Sequence, residues 1–300
     1  MSSSYSQSLD VTTHSRRYPA IDPKTTLSGS ATDKVVFLSG ASRGIGQATA
    51  VAFAEAGARA LYLTARSEDA LEETRDLVAK ANPDTARTIA ACDVTVPSAV
   101  EAAVADCVAK YGDLDVADAN AGILRPFAKF GDSDPDGWWQ SWEVNIRGTY
   151  NVARFAMAHL IASAAKCASK GRSSGHLIIV SSVGAQLKFP GASDYQTSKH
   201  AINRLVEFIQ SDHGEDGIKT FAIHPGGVAT DLGKTLPEAM HAYLNDEPDL
   251  AACFKVWLAS GQADWAAGRY LSATWDVGEV TAMQEKILAE DLLVNRLRGA

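Results

Sequence analysis

Tyr195-Gln196-Thr197-Ser198-Lys199 opens a helical stretch of the 300-residue chain, and its i, i+4 spacing places a phenol and an ammonium on one helix face. A phenol that can give or take a proton beside a positive charge is a candidate for acid–base chemistry, although the pair also suits a half-buried aromatic next to a solvated amine. Ser182 lies 13 residues earlier, where the apolar run His176–Ser181 ends. The carboxyl ends of parallel strands border the ligand crevice of such sheets, which makes Ser182 a candidate hydroxyl for that crevice. Asn145, in Trp142-Glu143-Val144-Asn145-Ile146-Arg147-Gly148, offers either an amide for the same site or a helix-surface side chain.

A second chemistry is the capture of an anion. Ser39-Gly40-Ala41-Ser42-Arg43-Gly44-Ile45-Gly46 is a Gly-rich turn after an apolar run and before a helical one. Glycines are needed where the chain turns tightly and where a diphosphate must meet free N–H groups at the positive end of a helix. A dinucleotide site usually carries Asp or Glu about 20 residues further on to hold the adenosine ribose, but that place is taken by Arg66, after Ala65. Arg66 and Arg43, with Ser42 and Ser67 as hydroxyl donors, are what a 2′-phosphate requires, so NADP(H) is expected over NAD(H). Taken singly, each arginine also fits a solvated surface charge.

These side chains need a frame, and the chain from Lys34 onward has the form of one: short apolar runs alternating with longer helical stretches, the pattern of a parallel sheet covered on both faces. The predicted strands are Val35–Ser39, Ala60–Thr64, Ala86–Ala91, Leu114–Ala119, His176–Ser181, Lys219–His224 and Arg269–Ala273. Helices are expected from Ile45 to Ala56, Glu68 to Lys80, Pro97 to Lys110, Pro135 to about Ala165, Asp194 to Asp212 and Leu250 to Ala259. The fold class is therefore α/β, a single doubly wound domain with a parallel seven-stranded sheet and helices on both faces. Residues 1–33 are polar and broken by Pro19 and Pro23, and are expected to form a flexible or surface-draped arm outside the core.

Composition agrees with an ordinary globular enzyme: 46% apolar and 21% charged residues. The net charge of −8, with no basic block, argues against nucleic acid or an anionic membrane as partner, so any anion must be caught locally. Cys92, Cys107, Cys167 and Cys253 lie far apart without ligand spacing, which points to reduced thiols, no metal and a cytoplasmic setting. No run approaches the roughly 20 apolar residues of a membrane span. The ending Arg298-Gly299-Ala300 is not a peroxisomal address.

Taken in order, these motifs resemble the short-chain dehydrogenase/reductase family. The resemblance covers about Lys34 to Ala273: Ser39-Gly40-x3-Gly44-x-Gly46, Cys92-Asp93-Val94, Ala119-Asn120-Ala121-Gly122, Asn145, Ser182, Tyr195-x3-Lys199 and His224-Pro225-Gly226-Gly227-Val228-x-Thr230. It implies a Rossmann-type catalytic domain over residues 34–275, a substrate lid at about 231–249 and a C-terminal tail at 276–300. It further implies that Gly40, Ser42, Arg43, Gly44, Ile45, Gly46, Arg66 and Ser67 hold the phosphates and adenosine ribose. Asp93 and Val94 would contact adenine, and Asn120, Ala121 and Gly122 would floor the site. Pro225, Gly226, Val228 and Thr230 would border the nicotinamide. The arm and the segment Gly268–Val277 resemble a subgroup common in filamentous fungi, many of whose members act in secondary metabolism.

The implied reaction is interconversion of a carbonyl and a secondary alcohol, with Asn145, Ser182, Tyr195 and Lys199 as the catalytic set. Tyr195 would move the proton, Ser182 would orient the substrate oxygen and Asn145 would position a water. Lys199 would hold the nicotinamide ribose and, with the positive charge of the oxidised nicotinamide, pull the phenol below its ordinary pKa of about 10. Val183, Gln186, Phe189, Leu232 and Leu236, with the Trp138-Trp139 region, are expected to receive a medium-sized, largely apolar substrate. Pairing through the helices containing Asn145 and Tyr195 would give a homodimer or homotetramer. Alternatives are a dehydratase, isomerase or cyclase on this fold, or a non-catalytic NADP(H)-binding protein. Two departures from the family pattern are mild, Ser39 and Ala119. The third, Asp118, puts a carboxyl inside a strand, where it needs a partner or a raised pKa and is either a hydrogen-bonded structural residue or one that handles protons.

Overall fold

The computed structural model describes residues 9–169, 171 and 173–297. Residues 1–8 of the expected arm and the terminal Arg298-Gly299-Ala300 lie outside the described residues. Seven strands form one parallel sheet: β1 Val35–Ser39, β2 Ala60–Ala65, β3 Ala86–Ala91, β4 Val116–Ala119, β5 His176–Val180, β6 Lys219–His224 and β7 Tyr270–Ser272. Their order is β3-β2-β1-β4-β5-β6-β7, so the winding reverses between β1 and β4 and a crevice opens beyond their carboxyl ends.

Alternation along the strands sends side chains to two cores. Val36, Leu38, Leu61 and Leu63 face one layer, with α1 (Gly44–Glu55), α2 (Glu72–Ala81) and α7 (Pro248–Ala259), where Phe53 and Trp257 are buried. Val35, Phe37, Ala60 and Tyr62 face the other, with α3 (Pro97–Tyr111), α5 (Thr149–Ala168) and α6 (Ser193–His213). Helix α3 has Pro97 in its first turn and ends on Gly112, whose φ of 78° supplies the left-handed cap.

Two expectations change, and the tail gains a structure. The helix predicted from Pro135 to about Ala165 is three pieces: α4 (Pro135–Trp142), a π-helical turn Glu143–Gly148, and α5. The turn brings Gly148 so close to Val94 that a Cβ would lie 2.6 Å from its side chain, and apolar periodicity carries no sign of that. The arm is not outside the core: Ile21, Leu27 and Ala31 are fully buried in the layer of α1 and α7. It is tied to the end of the chain, with Thr13 bridging Trp275 and the Tyr18 hydroxyl donating to the Trp275 carbonyl at 3.2 Å. The tail is helical in part. Asp276 accepts from the Gly278 and Glu279 amides and starts α8 (Val277–Ala282), and α9 (Gln284–Ala289) follows. Asp276-x-x-Glu279 is a readable start signal of the capping-box kind.

Candidate active site

The first turn is built by exclusion. Gly40 and Gly44 have φ of 68° and 55°, and a Cβ on Gly46 would lie 2.1 Å from the Gly40 carbonyl oxygen. Only glycine allows this turn, which brings the start of α1 beneath the crevice with its first N–H groups uncapped by a side chain. Uncapped N–H groups over a surface cleared of side chains are what a diphosphate would occupy, so the residues present fit a dinucleotide.

A crevice of about 710 Å³ runs along the carboxyl ends of the strands. Its wall gathers Gly40, Ser42, Arg43, Gly44, Ile45 and Gly46 of the first turn with Arg66 and Ser67 after β2 and Asp93 and Val94 after β3. Asn120, Ala121 and Gly122 after β4, Tyr195 and Lys199 of α6, and Pro225 and Thr230 after β6 complete it. Gly226 and Val228 do not line it; Val228 bridges Asp246, and the Gly227 amide donates to the Asp246 carboxylate at 2.7 Å.

Lys199 is buried, and its Nζ donates to the Val180 carbonyl at 2.8 Å and lies 5.7 Å from the centre of the Tyr195 ring. Burial pulls the ammonium down to about 8. The Tyr195 phenol is pushed up by burial, while its hydrogen bond with Ser182 acts to lower it. The lowering expected from Lys199 together with an oxidised nicotinamide is not supplied by the protein's own groups. An amine that loses its proton near pH 8 carries no charge at the higher pH where a buried phenol ionises, so the protein alone does not make the phenolate. Ser182 Oγ accepts from the Gly184 amide at 3.0 Å, so its O–H is the donor it turns toward Tyr195.

The side chain of Asn145 is engaged by the protein itself. Its Oδ1 accepts from the Ile123 amide at 2.9 Å, and its Nδ2 donates to the Ile123 carbonyl and to Ser198 Oγ, each at 3.1 Å. Every polar atom of the side chain is taken by the protein. The amide is thus a strut joining the segment after β4 to α6, held there by the π-helical turn. Asp118 finds the partner it needed in Lys255 of α7, at 2.7 Å, a residue that sequence reasoning passed over as one position of an apolar helix.

The expected substrate residues are divided. Leu232 lines the crevice with Tyr195, joined by Ile123, Trp139 and Val144, the last two from α4 and the π-helical turn. Gln186 and Phe189 line a separate cavity of about 690 Å³ on the outer side of α6. Val183 is exposed, and neither it nor Leu236 lines either cavity. The tail also reaches this region: Asn295 Oδ1 accepts from Gln186 Nε2 at 2.9 Å. No sequence signal marks that contact, since it joins residues more than 100 positions apart.

The family model described as short chain dehydrogenase matches residues 34–241. The short chain dehydrogenase mpl6 of Monascus purpureus is 40% identical over 291 residues, covering 95% of this chain and 94% of its own. Versicolorin reductase stcU of Emericella nidulans is 36% identical over 200 residues, 66% of this chain and 70% of its own. A solved 3-ketoacyl-(acyl-carrier-protein) reductase from Brucella melitensis, complexed with NADH, superposes with a TM-score of 0.71 at 25% identity, covering 82% of this chain and 97% of its own. Among the described residues no helix is long and apolar enough to cross a membrane.

Proposed function

The chain belongs to the short chain dehydrogenase family, and on that premise we propose that it is an NADP(H)-dependent oxidoreductase interconverting a carbonyl and a secondary alcohol on a medium-sized, largely apolar substrate, in the cytoplasm and within fungal secondary metabolism. The observation that carries the reading is one crevice that combines Tyr195 and Lys199 with Arg43, Arg66, Ser42 and Ser67, and has arginine where an acid would hold the ribose of NAD(H). When bound, the nicotinamide supplies or accepts the hydride.

The residues of the chain do the rest. The uncapped amides at the start of α1 hold the diphosphate, and Arg43 and Arg66 hold the 2′-phosphate. Ser182 turns its O–H from Tyr195 to the substrate oxygen between them and stabilises the negative charge that develops on it. Tyr195 gives that oxygen a proton in reduction and takes it back in oxidation. Lys199 spends one of its three donors on Val180 and has two left for the nicotinamide ribose. Ile123, Trp139, Val144 and Leu232 form the apolar wall beside the reacting centre. Tyr150 on α5 and Phe208 on α6 are exposed aromatics on the two helices expected to pair subunits, which supports a homodimer or homotetramer.

Consumption of reduced cofactor with a panel of ketones, quinones and polycyclic phenols tests the reading, NADPH beside NADH. Turnover of some panel member with NADPH preferred is expected; no turnover of any member with tightly bound cofactor supports a non-catalytic protein instead. The pH profile is a further expected outcome. Reduction needs protonated Lys199, whose pKa is about 8, so kcat/KM falls as pH rises through that value. Lys199→Arg keeps its charge and moves the fall to higher pH. A fall that stays in place in the arginine variant assigns the titration to another group.

A further inference from the structure

The dinucleotide reading above makes the Gly-rich turn the part of the chain that must hold its shape, and Asn120 is what touches it. Asn120 Nδ2 donates to the carbonyls of Ser39 and Gly40, at 3.2 and 3.1 Å. The same nitrogen fills the space that a Cβ on Gly46 would need, 2.8 Å away, so the amide is wedged between both limbs of the turn. With both N–H groups committed to one side, the amide oxygen faces the protein interior. A buried acceptor there is costly unless a donor meets it.

Lys255 meets it. Its Nζ lies 3.1 Å from Asn120 Oδ1 and 2.7 Å from Asp118 Oδ2, and the side chains of Lys255 and Asp118 are both fully buried. The neighbours of Lys255 along α7 are the apolar core residues Phe254, Val256 and Trp257. A lysine there is unfavourable by itself, and a carboxyl within β4 is unfavourable by itself. Together they deliver a donor to the back of Asn120. Asp118 is tied to the same place by its main chain, whose carbonyl accepts from Ser39 Oγ at 3.2 Å, and that oxygen in turn accepts from the Asn120 and Ala121 amides.

We propose that Lys255, held in the core by Asp118, is a positioning residue for the cofactor: it fixes the orientation of the Asn120 amide and thereby the shape of the Gly40–Gly46 turn. It touches neither the cofactor nor the substrate. If the ammonium is removed, the amide oxygen is left without a donor. The amide then turns or shifts, and its hold on the two carbonyls loosens. The effect falls on cofactor affinity and leaves the reacting centre as it was.

The inference rests on the dinucleotide reading, so the first measurement is the Kd of the wild-type protein for NADPH and NADH by fluorescence titration. Absence of binding to both overturns that reading and this inference with it. The decisive variant is the double change Asp118→Val with Lys255→Met, because it removes both charges at nearly constant volume. Apolar replacement of a buried ion pair usually preserves stability. The expected result is a Tm close to that of the wild type, a Kd raised about tenfold, the worth of one charge-assisted hydrogen bond, and an unchanged kcat at saturating cofactor. A folded double variant with wild-type Kd overturns the proposal and leaves the pair a matter of folding alone. A kcat that falls with saturating cofactor also overturns it, since the pair would then take part in the reaction. Asn120→Ala is the second arm. It removes the amide through which Lys255 acts, so adding Asp118→Val with Lys255→Met to it raises the Kd no further than about threefold. A further tenfold loss on that background overturns the proposal, since the pair would then act on the cofactor by another route.

Discussion

Tyr195→Phe binds NADPH as tightly as the wild type and loses about 10²- to 10⁴-fold in carbonyl turnover, the range that a positioned proton donor contributes. The ring keeps its volume and its place, so the packing around it and the 5.7 Å approach of Lys199 are conserved while the O–H is removed. Ser182 cannot take over. Its oxygen accepts from the Gly184 amide, and its own proton is far too strongly held at neutral pH to be given up. The structure adds a reason for the loss to be large. Burial raises the phenol, so the residue enters the reaction with its proton in place, which is the state that reduction requires. Oxidation needs the phenolate, and with Lys199 brought down to about 8 the protein alone does not supply it. The positive charge of the oxidised nicotinamide then has to favour it. Stopped-flow turnover together with cofactor titration checks this result. A variant that turns over normally would remove Tyr195 from the mechanism.

The same site shows what residue types and spacing can carry and what they cannot. Strands β1 and β6 lie where the predicted runs begin and end, because buried parallel strands are marked by composition. The Gly-rich turn was equally legible, since its glycines answer to local clashes of the kind seen between Gly46 and Gly40. Asn145 was legible as a site position, while its side-chain contacts with Ile123 were not: they accompany a π-helical turn that periodicity does not encode. Ile21 and Leu27 were passed over because two isolated apolar residues among serines and prolines give no period, yet each fills the layer over α1. The Asp118 to Lys255 pair spans 137 positions, so the sequence shows only that each residue lacks a reason to be where it is.

Arg43→Ala combined with Arg66→Ala weakens NADPH by at least about 100-fold and NADH by no more than about threefold, because each guanidinium lost removes roughly tenfold or more of phosphate affinity and only NADPH carries that phosphate. The protein is acidic, so these two side chains on the crevice wall act against the background charge of −8. Arg43 already has a companion: its Nε lies 3.3 Å from Asp231, in a pair exposed on both sides. Such exposed pairs contribute little, so a doubly charged phosphate displaces the carboxylate readily. Asp231 nevertheless changes the arithmetic of the single variants. With Arg43→Ala its negative charge stands uncompensated at the phosphate site, so this variant is weaker than Arg66→Ala, and adding Asp231→Asn recovers part of the loss. The differences shrink as salt is raised, since every group concerned is exposed to solvent. Titration with both cofactors at two ionic strengths reads all of these outcomes. Equal losses for NADPH and NADH would show that the arginines support the turn and not the phosphate.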